Sequence, residues 1–268
     1  MNGRTPSPAF LLLFMNPAIE FRSVTFTTPQ GRTLLDGISF AIEEGTTTAV
    51  LGRSGSGKTT LLRTVNRMVQ PSTGDILVNN RSVLAADPIP LRRGIGYVIQ
   101  ETGLFPHFTV ARNAALVPEI AGRPRAERNE QSYELLRAVG LEPETYAPRY
   151  PYQLSGGQRQ RVGLARALAA DPSILLMDEP FGALDPLTRA EMQDMLRDLL
   201  ARLKKTVLLV THDLDEALYL ADNIALLSEG RLVAHLKAVD FLASPHPEVQ
   251  SYVRAFHRSR KSEAGANP

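Results

Sequence analysis

The chain has 268 residues, of which 43% are hydrophobic and 22% charged, the balance of a globular protein able to bury a sizeable core. It contains no cysteine, which excludes disulfides, thiolate metal sites and cysteine nucleophiles. Thirty basic residues (25 Arg and 5 Lys) against 28 acidic ones leave a net charge of only +2, too small an excess to mark a nucleic-acid binder.

Near the start, Arg4 precedes a seven-residue apolar run, Ala9 to Met15 (AFLLLFM). A secretory signal would carry a small-residue cleavage site after such a run, and none follows. The preferred reading takes Met15 as the natural start and residues 1–14 as an upstream extension, with 1–16 outside the folded domain. No stretch of 18 apolar residues occurs, so no membrane span is expected.

From Ala18 to Phe26 apolar and polar residues alternate, the pattern of a half-buried strand. TTPQGR (27–32) is a turn cluster, and a second strand runs through Ile38, Phe40 and Ile42. TTTAVL (46–51) predicts a buried strand. KTTLLRTVNRM (58–68) predicts a helix with Leu61, Leu62, Val65 and Met68 on its apolar side, stopped by Pro71 and Gly74. IGYVIQ (95–100) is the next strand. The stretch from about 101 to 160 is richer in Pro, Arg and Glu, with helical spacing at Tyr133, Leu136 and Val139, and predicts an inserted helical subdomain.

Beyond it, strands and helices alternate again. A helix runs from Ser155 to Ala170, ILLMD (174–178) is a strand, and Asp185-Pro186 opens a helix. Met192, Met195, Leu196, Leu199, Leu200 and Leu203 give that helix an apolar stripe. VLLV (207–210), a helix through Asp215 to Leu220, and IALLS (224–228) complete the series. The expectation is an α/β domain over 17–258 with a mostly parallel sheet, an N-terminal antiparallel β part, and a polar, frayed tail at 259–268.

Three motifs carry chemistry. GRSGSGKT (52–59) satisfies G-x-x-x-x-G-K-[ST] between a strand and a helix. Glycines let backbone N–H groups approach a phosphate chain, and the helix start favours anions. Gly52, Ser54, Gly55, Ser56, Gly57, Lys58, Thr59 and Thr60 are the candidate nucleotide contacts. Lys58 is placed for the β and γ phosphates, and the Thr59 hydroxyl for Mg²⁺. In ILLMDEP (174–180), Asp178 ends an apolar strand, where an ionised carboxylate needs a partner or a metal. The expected division gives Asp178 to Mg²⁺ and Glu179 to the attacking water. LSGGQ (154–158) opens a helix with Ser155 as N-cap, and Gly156 and Gly157 make a second anion-ready helix start.

GRSGSGKTT (52–60), Gln100, LSGGQRQRV (154–162), ILLMDEP (174–180), ALD (183–185) and THD (211–213) stand in the order found in ABC-transporter ATPase subunits, and the chain resembles them from about Pro17 to Phe256. The resemblance implies a P-loop NTPase fold, ATP and Mg²⁺, and hydrolysis coupled to transport. It implies that Gln100 touches Mg²⁺ and water and senses a membrane partner, and that His212 contacts the γ-phosphate and helps orient Glu179. Such subunits pair head to tail, so Ser155, Gly156, Gly157 and Gln158 of one copy would cap ATP held by the other's Lys58, with Asp185 at the dimer seam. His107, in LFPHFT, matches no motif and reads as structural.

RRGIGYVIQETGLFPHFTV (92–110), VNRMVQPSTG (65–74) and RYPYQLSGGQRQRVGLARALAADPSILLMDEPFGALDPLTR (149–189) are similar to importers of quaternary-amine osmoprotectants such as glycine betaine, carnitine and choline. That group implies integral membrane permease subunits, a separate substrate-binding protein, no nucleic-acid partner, and a peripheral place on the cytoplasmic face of the membrane. An ABC ATPase for another cargo (amino acid, lipid or an export system) and a non-transport ABC ATPase are the alternatives. Apolar residues exposed around Gln100 favour a membrane partner; a basic groove there favours nucleic acid.

Thr28, in TTP, stands where such subunits place the aromatic that stacks on adenine, and Phe26 is the nearest substitute. Weaker adenine discrimination is therefore expected, with GTP displacing a bound ATP analogue better than is usual for such subunits. A strong ATP preference that survives Phe26→Ala would overturn this expectation.

Overall fold

The computed structural model describes residues 17–100 and 102–264; the apolar run before and including Met15 lies outside them. β1 (Pro17–Thr27) and β2 (Thr33–Glu43) pair antiparallel. β3 (Thr47–Leu51) leads through the glycine-rich loop into α1 (Lys58–Val65). β4 (Thr73–Val78) and β5 (Arg81–Ser82) join the hairpin, giving an antiparallel sheet of order β2-β1-β4-β5. Then come α2 (Pro88–Arg93), β6 (Ile95–Val98), and the helices α3 (Val110–Ala114), α4 (Leu116–Ile120), α5 (Arg125–Ala138), α6 (Pro143–Tyr146) and α7 (Gly156–Leu168). The chain continues with β7 (Ile174–Asp178), α8 (Pro186–Leu203), β8 (Thr206–Val210), α9 (Leu214–Leu220) and β9 (Asn223–Ser228). β10 (Arg231–Lys237), α10 (Ala238–Phe241) and α11 (Pro247–Ala264) finish it.

The second sheet has the order β10-β9-β3-β8-β7-β6. All its pairings are parallel except β9 with β10 at the edge. Its central strands are buried on both sides, so alternate residues feed different cores. Leu175 and Met177 of β7, with Val207 and Leu209 of β8, meet Val110, Leu136, Val139, Met192 and Leu196 of the helices. Ile174 and Leu176, with Leu208 and Val210, face the other way, toward Leu61, Leu62, Phe21 and Ile42. A third cluster joins Ala49 and Leu51 of β3 to Leu214, Phe241 and Val249, with Tyr252 and Phe256 of α11 packed on it.

The α/β fold with an antiparallel N-terminal part is as the sequence predicts, and differences lie at element ends. α1 stops at Val65 rather than running to Met68, because Asn66 caps it and Arg67 turns left-handed at φ 54°. Met68 consequently leaves the apolar face and is 57% exposed. Leu203 likewise emerges at the end of α8, while Met192, Leu196 and Leu199 are buried. β4, β5, α2 and β10 carry too little apolar periodicity to be read from sequence. α11 continues to Ala264, so the polar tail begins as a helix that propagates from the turns anchored by Val249, Tyr252, Val253 and Phe256.

Gly96 of β6 lies against the end of α7. A Cβ there would come within 2.5 Å of both the Ala167 carbonyl and a Leu175 methyl carbon. Backbone cannot yield as a flexible side chain can, so Gly96→Ala should lower stability by roughly 1–3 kcal/mol in urea unfolding. An unchanged midpoint would contradict this packing.

Glu216, in the first turn of α9, is buried and its Oε1 has no hydrogen-bond partner. Burial, helped by the Asp213 charge, pushes its carboxyl up to about 8. The unfolded carboxyl ionises near 4.5, so the native state binds the extra proton between about 4.5 and 8. Stability is therefore full below that window and lost as pH rises through it. Glu216→Gln should be nearly neutral at pH 4.5 and stabilising at pH 8, on the order of 2–4 kcal/mol. Equal unfolding midpoints for the two proteins at pH 8 would refute the assignment.

Candidate functional site

Four neighbouring parallel strands, β3, β8, β7 and β6, end on one edge of the sheet, the edge where open α/β sheets bind ligands. Each delivers one candidate segment: the glycine-rich loop after β3, Thr211-His212 after β8, Asp178-Glu179 at the end of β7, and Gln100 after β6. Residues 33 to 119 positions apart in sequence thereby become neighbours through register alone.

The loop is built for close approach. Gly57 has φ 101°, and a Cβ on it would lie 2.5 Å from the Leu34 carbonyl. Only glycine fits that turn. It delivers the chain into α1, whose first residue, Lys58, is buried. The ammonium folds back to donate to the carbonyls of Gly52, at 2.9 Å, and Arg53, at 3.0 Å. Burial lowers its pKa from the ordinary lysine value, opposed by the Glu179 and Asp178 charges. Ser56 Oγ is buried without a hydrogen-bond partner, a polar atom turned into the loop. Arg53, Ser54 and Gly55 are exposed at the rim.

Asp178 is 2% exposed. The Thr59 hydroxyl donates to its Oδ1 at 2.8 Å, and the Tyr97 phenol reaches Oδ2 at 3.5 Å. Arg63 lies 3.7 Å from Oδ2. A hydroxyl beside a carboxylate is an oxygen pair suited to a hard divalent cation, and the set fits Mg²⁺.

Glu179 follows in a left-handed conformation, φ 45°, with its N–H bonded to the Val210 carbonyl at 2.9 Å. Such a backbone is costly for a non-glycine residue, and here it turns the carboxylate out of the strand toward its neighbours. Glu179 Oε2 accepts from Gln100 Nε2 at 3.3 Å and lies 3.3 Å from His212 Nδ1. Gln100 is exposed and His212 is 62% exposed, so neither is held by packing on its own.

Ser155 caps α7, accepting from Gln158 N–H at 3.3 Å, while Gln158 Oε1 accepts from Ser155 N–H at 2.9 Å. Gly156 begins the helix, and Gly157 packs where a Cβ would strike Thr188. No hydrogen bond among the described residues joins this segment to the loop or to Glu179. Asp185 is exposed and caps α8 through Thr188 N–H at 3.0 Å. Thr60 follows Thr59 on α1, half-buried. Thr28 is taken up in the turn, where its hydroxyl accepts from Arg32 N–H at 3.2 Å. Phe26 is half-buried and packs on the second core cluster. His107 sits exposed between Phe105 and Phe108 and bonds none of these groups.

Arg63 and Tyr97 are absent from the sequence reading. Arg63 had a signal: it stands four residues after Thr59, on the same side of a helix. Tyr97 had none, because only strand register carries it to Asp178.

A family model described as "ABC transporter" matches residues 35–182. The chain is 44% identical over 230 residues to the choline transport ATP-binding protein OpuBA of Bacillus subtilis, covering 86% of this chain and 60% of that one. It is 46% identical over 238 residues to the osmoprotectant import ATP-binding protein OsmV of Salmonella typhimurium, covering 88% and 62%. The chain thus spans about 60% of the length of these curated relatives. A dimeric ATP-binding cassette solved in a post-hydrolysis state with ADP and Pi superposes with a TM-score of 0.74 at 34% identity, covering 82% of this chain and 98% of that one. The cassette cbiO1 from Clostridium perfringens gives 0.79 at 27%, covering 92% and 99%. The chain belongs to the ABC transporter family.

Proposed function

We propose that this chain is the MgATP-hydrolysing subunit of an ABC importer for quaternary-amine osmoprotectants. The observation that carries the hydrolytic part is the meeting of Gln100 and His212 on one oxygen of Glu179, beside the Thr59–Asp178 pair. In this reading Glu179 orients a water and accepts its proton at Oε2. Gln100 and His212 hold that carboxylate in place, and His212 Nε2 is left to face the γ-phosphate. Lys58 leaves the Gly52 and Arg53 carbonyls for the β and γ phosphate oxygens, with Ser54, Ser56, Thr60 and the loop amides around them. Thr59 and Asp178, with Gln100, would hold Mg²⁺, which neutralises charge on the phosphate oxygens when bound.

Ser155, Gly156, Gly157 and Gln158 are assigned to ATP held by a second copy, with Asp185 at the seam between the two. In support, the Ser155 hydroxyl spends only a lone pair on its cap and keeps its proton for an incoming oxygen. The cassette with ADP and Pi is described as dimeric.

A membrane partner is supported by a groove along β6 and the helices packed beside it. Met68 and Phe105 are exposed and line this groove, of about 320 Å³, with Leu116 and Val117. Of the three arginines lining it, Arg92 and Arg166 are occupied with backbone carbonyls and Arg93 is exposed. No helix among the described residues is long and apolar enough to cross a membrane. The permease would supply the path, placing this chain peripherally on the cytoplasmic face, and a substrate-binding protein would present the cargo. The cargo class rests on the names of the relatives.

Glu179→Gln should reduce ATP turnover by roughly 10²–10⁴-fold and let ATP-bound dimers accumulate in size-exclusion chromatography with Mg²⁺. Normal hydrolysis by that variant would refute the mechanism. Reconstitution with the co-purified membrane subunits should give ATP-dependent uptake of radiolabelled glycine betaine or choline; uptake of neither would refute the cargo assignment.

A further inference from the structure

α11 approaches the site from outside the set of motifs. Tyr252 projects from it, and its phenol donates to the backbone carbonyl of His212 at 3.1 Å. Around this point a cavity of about 400 Å³ opens between the loop (Arg53 to Ser56) and Glu248, Ser251 and Tyr252 of α11. The phenol thus bonds the loop that follows β8, and its side chain lines one cavity with the loop that follows β3.

We propose that Tyr252 is a positioning residue for hydrolysis, tying the His212 backbone to α11 so that the imidazole stays on Glu179. The inference rests on the hydrolytic role given to Glu179 and His212. Three features support it. The His212 side chain is mostly exposed, and its polar contact among the described residues is with Glu179. The backbone carbonyl that Tyr252 holds is the one through which the chain leaves His212 for Asp213, the N-cap of α9. Val249 of α11 is fully buried, and Tyr252 and Val253 one turn on pack against the same cluster as Leu51 and Leu214. The helix is therefore seated on the strand and helix that bear the two loops. Burial and the Asp213 charge push the phenol up to about 12, so it remains a donor throughout the range in which the protein would be assayed.

The test compares Tyr252→Phe, His212→Ala and the double variant in the full chain, by steady-state ATP hydrolysis and by hydrogen–deuterium exchange. Tyr252→Phe keeps the ring and should lower kcat by about fivefold, the worth of one neutral hydrogen bond, with KM for ATP and the melting temperature little changed. In the His212→Ala background it should cost nothing further, because the phenol acts through that imidazole. Exchange over residues 211–216 should accelerate in Tyr252→Phe. Wild-type kcat, or a loss that adds fully to that of His212→Ala, would overturn the proposal. A lower melting temperature with kcat unchanged would also overturn it, leaving Tyr252 as an anchor of α11 alone. A wild-type chain that fails to hydrolyse ATP would instead refute the role given to Glu179, and unaltered exchange over 211–216 would still overturn the Tyr252 bridge.

Discussion

An ionised carboxylate at the end of a strand buried on both faces is tolerable only when donors are brought to it. Asp178 is that carboxylate, and much of the architecture follows from answering it. Thr59 comes from the helix behind the glycine-rich loop, Tyr97 from the adjacent strand, and Arg63 from one turn further along the same helix. Satisfying one oxygen pair thus locks α1, β6 and β7 together at the edge where the phosphate loop opens. The hydroxyl among these donors is the partner that can exchange its proton's direction for a metal bond, so the arrangement is stable without a cation and ready for one.

Glu179 is treated differently by the same strand. Its backbone leaves the extended conformation immediately after Asp178, and the side chain turns from the buried apolar environment into a half-exposed ring of polar groups. Two consecutive carboxylates therefore face different surroundings. One is buried and bonded to a hydroxyl, the other more open and shared between an amide and an imidazole. That separation lets adjacent residues of one chemical type hold distinct roles.

Much of this was legible in sequence because it is local. A glycine-rich loop between a β-branched run and a helical run, a Ser with Gln three residues on, and an Asp-Pro start each declare themselves within ten residues. ILLMD reads as one buried run, and nothing in it separates Leu175 and Met177 from Ile174 and Leu176, which enter different clusters. What escaped was set by register or by distance along the chain. Tyr97 looks like another core aromatic in IGYVIQ, and Tyr252 lies 40 residues from its carbonyl partner. Met68 fits a helical stripe and yet is exposed, since a left-handed Arg67 ends the helix before the stripe is complete. Short edge elements such as β5 and α2 bury too little to leave a periodic trace.

The helices between β6 and β7 share one apolar cluster with the sheet itself. Leu136 and Val139 of the helical stretch lie in the same cluster as Leu175 and Met177, the residues that lead into Asp178. A block joined in this way has no private interior to melt. Heat should take the inserted helices and the central strands together, in one transition, and any force on the insert's outer surface is delivered to the strand that ends in the two carboxylates.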